Sequence, residues 1–94
     1  MGKDSGQISL QGRLTIETVP KLFEVGLQHL KRGDLRADFS QVEVVDSAAI
    51  GMLLGWRRAA HLGQRDLSVV GLPGDLLSLA RLYGVIDYLN LQNG

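Results

Sequence analysis

The sequence of 94 residues contains no cysteine, which excludes a disulfide scaffold, a thiolate zinc site and a cysteine nucleophile. It also has no surplus of either charge, because ten Lys and Arg residues balance ten Asp and Glu residues. A net charge of zero argues against generic binding to nucleic acid or to an anionic membrane, since both depend on a basic surplus. What remains is one small domain, residues 1–94, built around a single core.

Long hydrophobic runs are missing as well. The longest stretch without a charged or strongly polar side chain covers residues 48–56, far short of the roughly 20 residues that a membrane-spanning helix needs. Residues 1–6 are polar, lack the apolar segment of a signal peptide and are predicted to be flexible. The sequence therefore predicts a cytoplasmic protein that reaches the inner face of a membrane only through a partner.

Two periodicities alternate along the chain. Residues 7–14 alternate polar and apolar side chains, as a half-buried strand does, whereas the apolar residues between Val19 and Leu30 fall on one helical stripe. Thr18 is predicted to cap this first helix, and Asp75 a later one. The remaining predicted elements are strands at 35–39 and 67–72, a turn at 40–41, helices at 47–62 and 75–83, and a strand or short helix at 85–91.

This order of elements predicts an α/β fold. Strands that are joined through helices pair in parallel, because each crossover returns the chain to the same end of the sheet. The chain is too short for two helical layers. We therefore expect a mixed, mostly parallel sheet of about four strands with helices mainly on one face.

The sequence contains few residues in the patterns of catalytic or cofactor-binding motifs. The sequence has neither a P-loop nor a dinucleotide-binding glycine motif, and residues 71–74 are best interpreted as a turn. His29 and His61 stand alone on polar helix faces, without the spacing of metal ligands. No nucleophile and base pair up in sequence. The sequence therefore predicts no enzyme activity, no metal and no cofactor.

One signal is concentrated at residues 44–51, where Asp46 and Ser47 follow an apolar strand and open an apolar helix. In one interpretation, either side chain simply caps the helix and contributes about 1 kcal/mol. In the other, Ser47 is displayed at the helix tip and can be phosphorylated. A phosphate would add about two negative charges, which the helix end tolerates but a partner fitted to the neutral serine does not.

The same helix carries apolar residues away from its buried stripe. Met52 and Trp56 lie off that stripe, as Leu82 does on the third helix, and Arg57 with its neighbour Arg58 could form a polar rim. Alternatively, the apolar side chains pack on the following helix. The predicted partner-binding surface comprises Asp46, Ser47, Ala48, Met52, Trp56, Arg57 and Leu82.

Several motifs in order give the chain a family resemblance. Residues 37–42 (ADFSQV) and 45–51 (VDSAAIG) resemble the signature of STAS domains, the domains of sulfate transporters and anti-sigma-factor antagonists. Residues 10–15 (LQGRLT) and 63–67 (GQRDL) also fit, so the resemblance extends over nearly the whole chain. It implies a STAS-like α/β domain that binds proteins.

Two branches of the family imply different partners. In anti-sigma-factor antagonists, the residue at the position of Ser47 is phosphorylated by a serine kinase that is also the anti-sigma factor. Residues 77–85 (LSLARLYGV) instead resemble the MlaB-like branch, the small cytoplasmic subunits of phospholipid-transport ABC systems. That branch implies that the Ser47 position contacts the transporter's ATPase without phosphorylation. We favour the MlaB-like branch here and keep the antagonist as the alternative.

Overall fold

The computed structural model describes residues 6–89, with side chains described through residue 87. Residues 1–5 and the end of the last predicted element, residues 90–91, lie outside this range. Gly6, predicted to be flexible, begins the first strand. The elements are β1 (Gly6–Leu14), α1 (Val19–Arg32), β2 (Leu35–Val45), α2 (Ser47–Gly63), β3 (Leu67–Val70), α3 (Gly74–Leu82) and α4 (Ile86–Leu89).

The strands form one parallel sheet in the order β1-β2-β3. The predicted α/β class is thus confirmed, but within residues 6–89 the sheet has three strands rather than about four. The segment after α3, for which strand and helix were both open, begins as the short helix α4. No helix in this part of the chain is long and apolar enough to cross a membrane.

Strand β2 is one continuous element, so the predicted turn at residues 40–41 is wrong. Its register against β1 slips twice, because β2 carries an extra residue between Asp38 and Gln41 and another between Val42 and Val44. These are β-bulges. At the first one, the Ser40 N–H donates to Asp38 Oδ1 at 2.9 Å, which holds the extra residue without ending the strand.

Among residues 6–87, the buried side chains of the sheet lie mainly on one of its faces. Leu10, Ala37 and Val69 contribute to the core from the three strands, and helix residues cover them. The opposite face carries Gln7, Arg36 and other polar side chains, most of them exposed. The prediction that the helices lie mainly on one face of the sheet is therefore confirmed.

Helices α1 and α2 pack closely through two glycines. The Trp56 ring of α2 occupies the space beside Gly26 of α1, where a β-carbon would overlap it. Its indole N–H donates to the Phe23 carbonyl at 3.0 Å. Conversely, the Phe23 ring lies where Gly55 has no side chain.

This packing corrects the prediction that Met52 and Trp56 form an exposed interface. Trp56 is 0% exposed and Met52 1% exposed. The buried stripe of α2 is wider than predicted because α2 packs on both the sheet and α1. The alternative, in which these side chains pack on the following helix, is right that Trp56 is buried against a helix but names the wrong one, since the ring packs on the preceding helix α1.

The helix ends differ from prediction in detail. Thr18 precedes α1, but its hydroxyl accepts from the Thr15 N–H at 3.0 Å and donates to the Arg13 carbonyl at 2.8 Å, so it stabilises the loop rather than the helix. Asp75 does not cap α3. The cap position is Pro73, and Asp75 lies in the first helical turn.

Candidate functional site

Two loops meet at the carboxyl edge of the sheet. Leu14 and Val45, the last residues of β1 and β2, are paired, and the Asp46 N–H donates to the Leu14 carbonyl at 3.1 Å. Because parallel strands end at the same edge, the loop before α1 and the start of α2 lie side by side. The site is therefore built from two segments about 30 residues apart in sequence.

The Asp46 carboxylate joins these two segments. Oδ1 accepts from the Ala48 N–H at 2.8 Å, which caps α2, and Oδ2 accepts from the Ile16 N–H at 3.1 Å in the other loop. Of the two side chains that could cap the helix, Asp46 is the one that does. Its half-buried position and its hydrogen bonds assign it a structural role at the site.

Ser47 is left exposed as the first residue of α2. The N–H groups of a helix's first turn give its end a partial positive charge, which favours an anion there. Asp46 uses the Ala48 N–H and places a carboxylate next to Ser47. A phosphate on Ser47 would therefore meet attraction from the helix end and repulsion from Asp46. Ala48, also predicted for this surface, is half-buried.

Ile16 belongs to this edge and was missed by the sequence analysis. Its side chain is 74% exposed, although its N–H is held by Asp46. Val44, near the end of β2, is also partly exposed at 40%. The signal that could have pointed to Ile16 is a large aliphatic residue in a loop after the strand alternation has ended. These residues make the edge apolar as well as polar; we call Ile16, Asp46 and Ser47 the Ser47 edge.

Other predicted surface residues lie elsewhere. The Arg57 side chain is half-buried, and its Nη2 donates to the Leu67 carbonyl at 3.4 Å. Leu67 begins β3, at the opposite edge of the sheet from Ser47, so this hydrogen bond holds Arg57 away from the Ser47 edge. Its role in a polar rim stays a prediction. Leu82 is 75% exposed, as predicted, but it ends α3, about 12 Å along that helix from its start.

Asp38, at the first bulge of β2, has a pKa below its ordinary value. The Ser40 backbone N–H is the main cause that lowers the pKa of Asp38 below its ordinary value. The Ser40 side chain lowers this pKa as well, desolvation raises it by less, and the nearby charge of Arg36 lowers it by the smallest amount. Gly71 packs here, since a β-carbon on it would lie 2.9 Å from the Ser40 nitrogen. This cluster fixes the bulge and shapes the turn after β3.

Residues 6–89 contain no group of three or more His, Asp or Glu side chains that could hold a metal ion. What the Ser47 edge offers chemically is an accessible hydroxyl at a capped helix start, together with an exposed aliphatic residue in the loop that Asp46 holds. Such an arrangement suits recognition by a protein surface.

A family description, "Mlab, STAS domain", matches residues 1–91. The chain belongs to the STAS domain family. The match extends over the strands, the helices and the Ser47 edge alike. The family resemblance drawn from the sequence motifs is thus confirmed.

Relatives of this STAS domain include anti-sigma-B factor antagonists. The antagonist of Staphylococcus epidermidis is 25% identical over 93 residues, covering 97% of this chain and 86% of the relative. That of Staphylococcus aureus strain NCTC 8325 is 24% identical over 90 residues, covering 94% and 83%. These relatives carry the name of the branch that the sequence analysis kept as its alternative.

Solved structures share the fold of this STAS domain. The anti-sigma factor antagonist SpoIIAA, in its unphosphorylated form, superposes with a TM-score of 0.79 at 14% identity, covering 99% of this chain and 82% of SpoIIAA. The STAS domain of a SulP transporter from Vibrio cholerae gives a TM-score of 0.66 at 12% identity, covering 95% and 70%. At such low identity the likeness concerns the fold.

Proposed function

We propose that this STAS domain is a non-catalytic cytoplasmic interaction module that works as an anti-sigma-factor antagonist, with Ser47 as its switch. The observation that carries the proposal is the exposure of Ser47 at the start of α2, beside a carboxylate that already caps the helix. The hydroxyl of Ser47 is free of the capping task and is accessible to a kinase and to a binding partner.

The switch follows from charge. In the neutral state, a partner packs against the Ser47 edge and covers Ile16 and the hydroxyl. A phosphate adds about two negative charges and three acceptor oxygens, which a surface fitted to a neutral serine would have to desolvate. The repulsion from Asp46 raises this cost further. The fold itself survives, because Ser47 contributes no core packing and the helix start favours an anion.

The relatives support this branch. The anti-sigma-B factor antagonists cover nearly all of this chain, so the comparison includes the Ser47 edge. By this reasoning the partners are an anti-sigma factor and a serine kinase, in one polypeptide or two. From the sequence motifs alone, the antagonist was the alternative to the MlaB-like function.

A second candidate function rests on the family description, which names Mlab. In this alternative the same edge contacts the ATPase of a phospholipid-transport ABC system, and Ser47 acts as a neutral contact that is never phosphorylated. The motif at residues 77–85 favours this candidate, and both candidates use the Ser47 edge for protein binding.

The test for the Ser47 edge is affinity capture from the native host with immobilised wild-type domain, Ser47→Ala and Ser47→Glu, followed by calorimetry with the captured partner. We expect Ser47→Ala to bind within a few-fold of wild type and Ser47→Glu to lose at least about tenfold in affinity, equivalent to about 1.4 kcal/mol. Ser9→Glu is the matched control, because Ser9 is an exposed serine on β1. Equal binding by Ser47→Glu and Ser9→Glu would refute the proposal.

The same samples separate the two candidates. Mass spectrometry of the captured proteins and of the Ser47 peptide tells which partner is present and whether the serine carries phosphate. An anti-sigma factor together with phosphorylated Ser47 is the expected result. Capture of an ABC ATPase together with unmodified Ser47 would contradict the antagonist function and support the MlaB-like function.

A further inference from the structure

A second surface lies on the outer side of the helical layer, along the seam between α1 and α2. Its main section is a groove of about 360 Å³ lined by apolar and small residues with one arginine: Phe23, Leu54, Gly55, Arg58, Ala59 and Leu62. Leu62 is 76% exposed, so a large aliphatic side chain stands at the groove's margin in contact with solvent.

The groove continues along the seam toward the end of α1. A second section of about 240 Å³ shares Ala59 with the first and is lined by Leu27, Leu30, Lys31, Gly63 and Arg65. The two sections follow the line where α1 and α2 cross closely through Gly55. Together they form one elongated concave surface, which we call the seam groove.

The charge around the seam groove has one sign. Arg58 lines the first section, Lys31 and Arg65 line the second, and no Asp or Glu among the described residues lines either. Arg65 donates to the Leu30 carbonyl at 3.1 Å and to the Lys31 carbonyl at 3.0 Å, which fixes its positive charge at the groove. The nearest acidic residue in sequence on α1, Glu24, accepts a hydrogen bond from Gln28.

This local sign reflects a wider segregation of charge. Helices α1 and α2 together carry five Lys or Arg residues and a single Glu. Because the whole chain is neutral, the rest of it carries five basic and nine acidic residues. A net charge of zero therefore conceals a basic helical layer, and this layer can attract an acidic partner although the whole chain is neutral.

We propose that the seam groove docks an acidic amphipathic helix of a partner protein. One large apolar side chain of that helix enters the section between Phe23 and Leu62, and its carboxylates face Arg58 and Lys31. Helices that dock in grooves use apolar anchors at spacings of three and four residues, with charges on the flanks. The basic rim of the groove selects acidic flanks.

The shape of the surface favours a protein over a membrane. An anionic membrane would also be attracted to basic helices, but it favours a convex apolar helix face that inserts between headgroups. The seam groove is concave, so its apolar lining is reached by a protruding side chain. A second copy of this chain is a poorer occupant, because a symmetric dimer through this face would bring the basic residues of both copies together, and a groove contacting a different surface of the next copy leads to open filaments unless the rotation closes.

The seam groove is separate from the Ser47 edge. Gly55 and Leu62 are eight and fifteen residues after Ser47 on α2, or about 12 and 22 Å along the helix axis. A partner could thus hold the seam groove while the state of Ser47 changes. The proposal goes beyond the function assigned to Ser47 and does not depend on it.

The test uses a designed helical peptide of about 18 residues, long enough to form a helix, with leucines on one face and glutamates on the other. Titration into the isotopically labelled full-length domain, followed by amide NMR shifts, is expected to perturb residues lining the seam groove. Arg58→Glu should weaken binding at least about tenfold. Arg36→Glu is the control, since it makes the same charge change on the open face of the sheet.

Both Arg58 and Leu62 are exposed helix residues, so Arg58→Glu and Leu62→Glu are expected to fold. Ser47→Glu should bind the peptide as wild type does, which separates this surface from the Ser47 edge. The proposal is overturned if shifts fall outside the groove or if a lysine version of the peptide binds equally well. Binding to vesicles of phosphatidylglycerol without binding to the peptide would overturn it, and so would a dimer that buries the groove in sedimentation equilibrium.

Discussion

At the scale of single residues, Asp46 has two tasks that a sequence motif cannot separate. Its carboxylate caps α2 through Ala48 and also holds the loop before α1 through Ile16. The motif explains why a short acidic side chain precedes the helix. It does not tell that the second oxygen reaches a segment about 30 residues away. Because both carboxylate oxygens of Asp46 accept hydrogen bonds from backbone N–H groups, Asp46 holds the start of α2 in place and thereby positions the neighbouring Ser47.

Replacing this carboxylate tests that role. Asp46→Ala should lower the free energy of unfolding by about 1–2 kcal/mol, because it removes the cap and leaves the Ile16 N–H without its partner. Asp46→Asn should lose less, since its amide oxygen can still accept from Ala48. Urea denaturation measures both. Asp75→Ala, in the exposed first turn of α3, serves as the control and should change stability by a few tenths of a kcal/mol. Equal losses at positions 46 and 75 would contradict the two-bond role.

At the scale of elements, α1 and α2 are joined by two reciprocal pairs of glycine and aromatic ring. Glycine in a helix interior costs up to about 1 kcal/mol relative to alanine, so Gly26 and Gly55 have to be compensated by packing. The Trp56 and Phe23 rings fill the places that their side chains would take. The resulting close crossing of α1 and α2 also leaves room for the seam groove.

Alanine favours a helix more than glycine does, but at these glycines we expect it to lower the stability of the protein. Gly26→Ala should destabilise the protein by about 1–3 kcal/mol, because its β-carbon overlaps the Trp56 ring and forces the helices apart. Gly51→Ala, in the exposed part of α2 with no atom near the added carbon, should instead be stabilising by up to about 1 kcal/mol. Thermal and urea unfolding give both values. A stabilising Gly26→Ala would mean that the ring is free to move aside.

The elements most accessible to prediction were those with strong local signals. The stripe of α1 and the alternation in β1 gave their types correctly, because burial on one side imposes the periodicity directly. Strand β2 was divided in two because Ser40 and Gln41 have the composition of a turn, whereas the Asp38 hydrogen bond keeps them in a bulged strand. The surroundings of α2 were misjudged because contact with both sheet and α1 widens the buried stripe beyond one face.

At the scale of the whole molecule, the residues of the candidate site that could be predicted from the sequence are again those with strong local signals. Asp46 and Ser47 were found because their roles depend on neighbours in sequence. Ile16 was missed, and Trp56 misplaced, because their positions depend on which loops and helices the parallel sheet brings together. The total charge was likewise uninformative, since it averages a basic helical layer with an acidic remainder.

The buried position of Trp56 makes it a reporter on the whole fold. It is the single tryptophan of the chain and belongs to the same core cluster as Leu14 and Phe39 of the sheet. Because one core joins the helical layer to the strands, we expect a single cooperative transition. Tryptophan emission, blue-shifted in the folded state, should move to the red at the same urea concentration at which far-ultraviolet circular dichroism is lost.

In Ser47→Glu, the fluorescence and circular dichroism transitions should again coincide, at nearly the same urea midpoint as in wild type, since Ser47 lies outside the core. Loss of partner binding by that variant would then reflect the surface and not the fold. If the fluorescence transition came before the loss of circular dichroism, α1 and α2 would separate before the sheet melts. In that case the seam between them would be a mobile joint, and the groove along it would have no fixed shape for a partner to recognise.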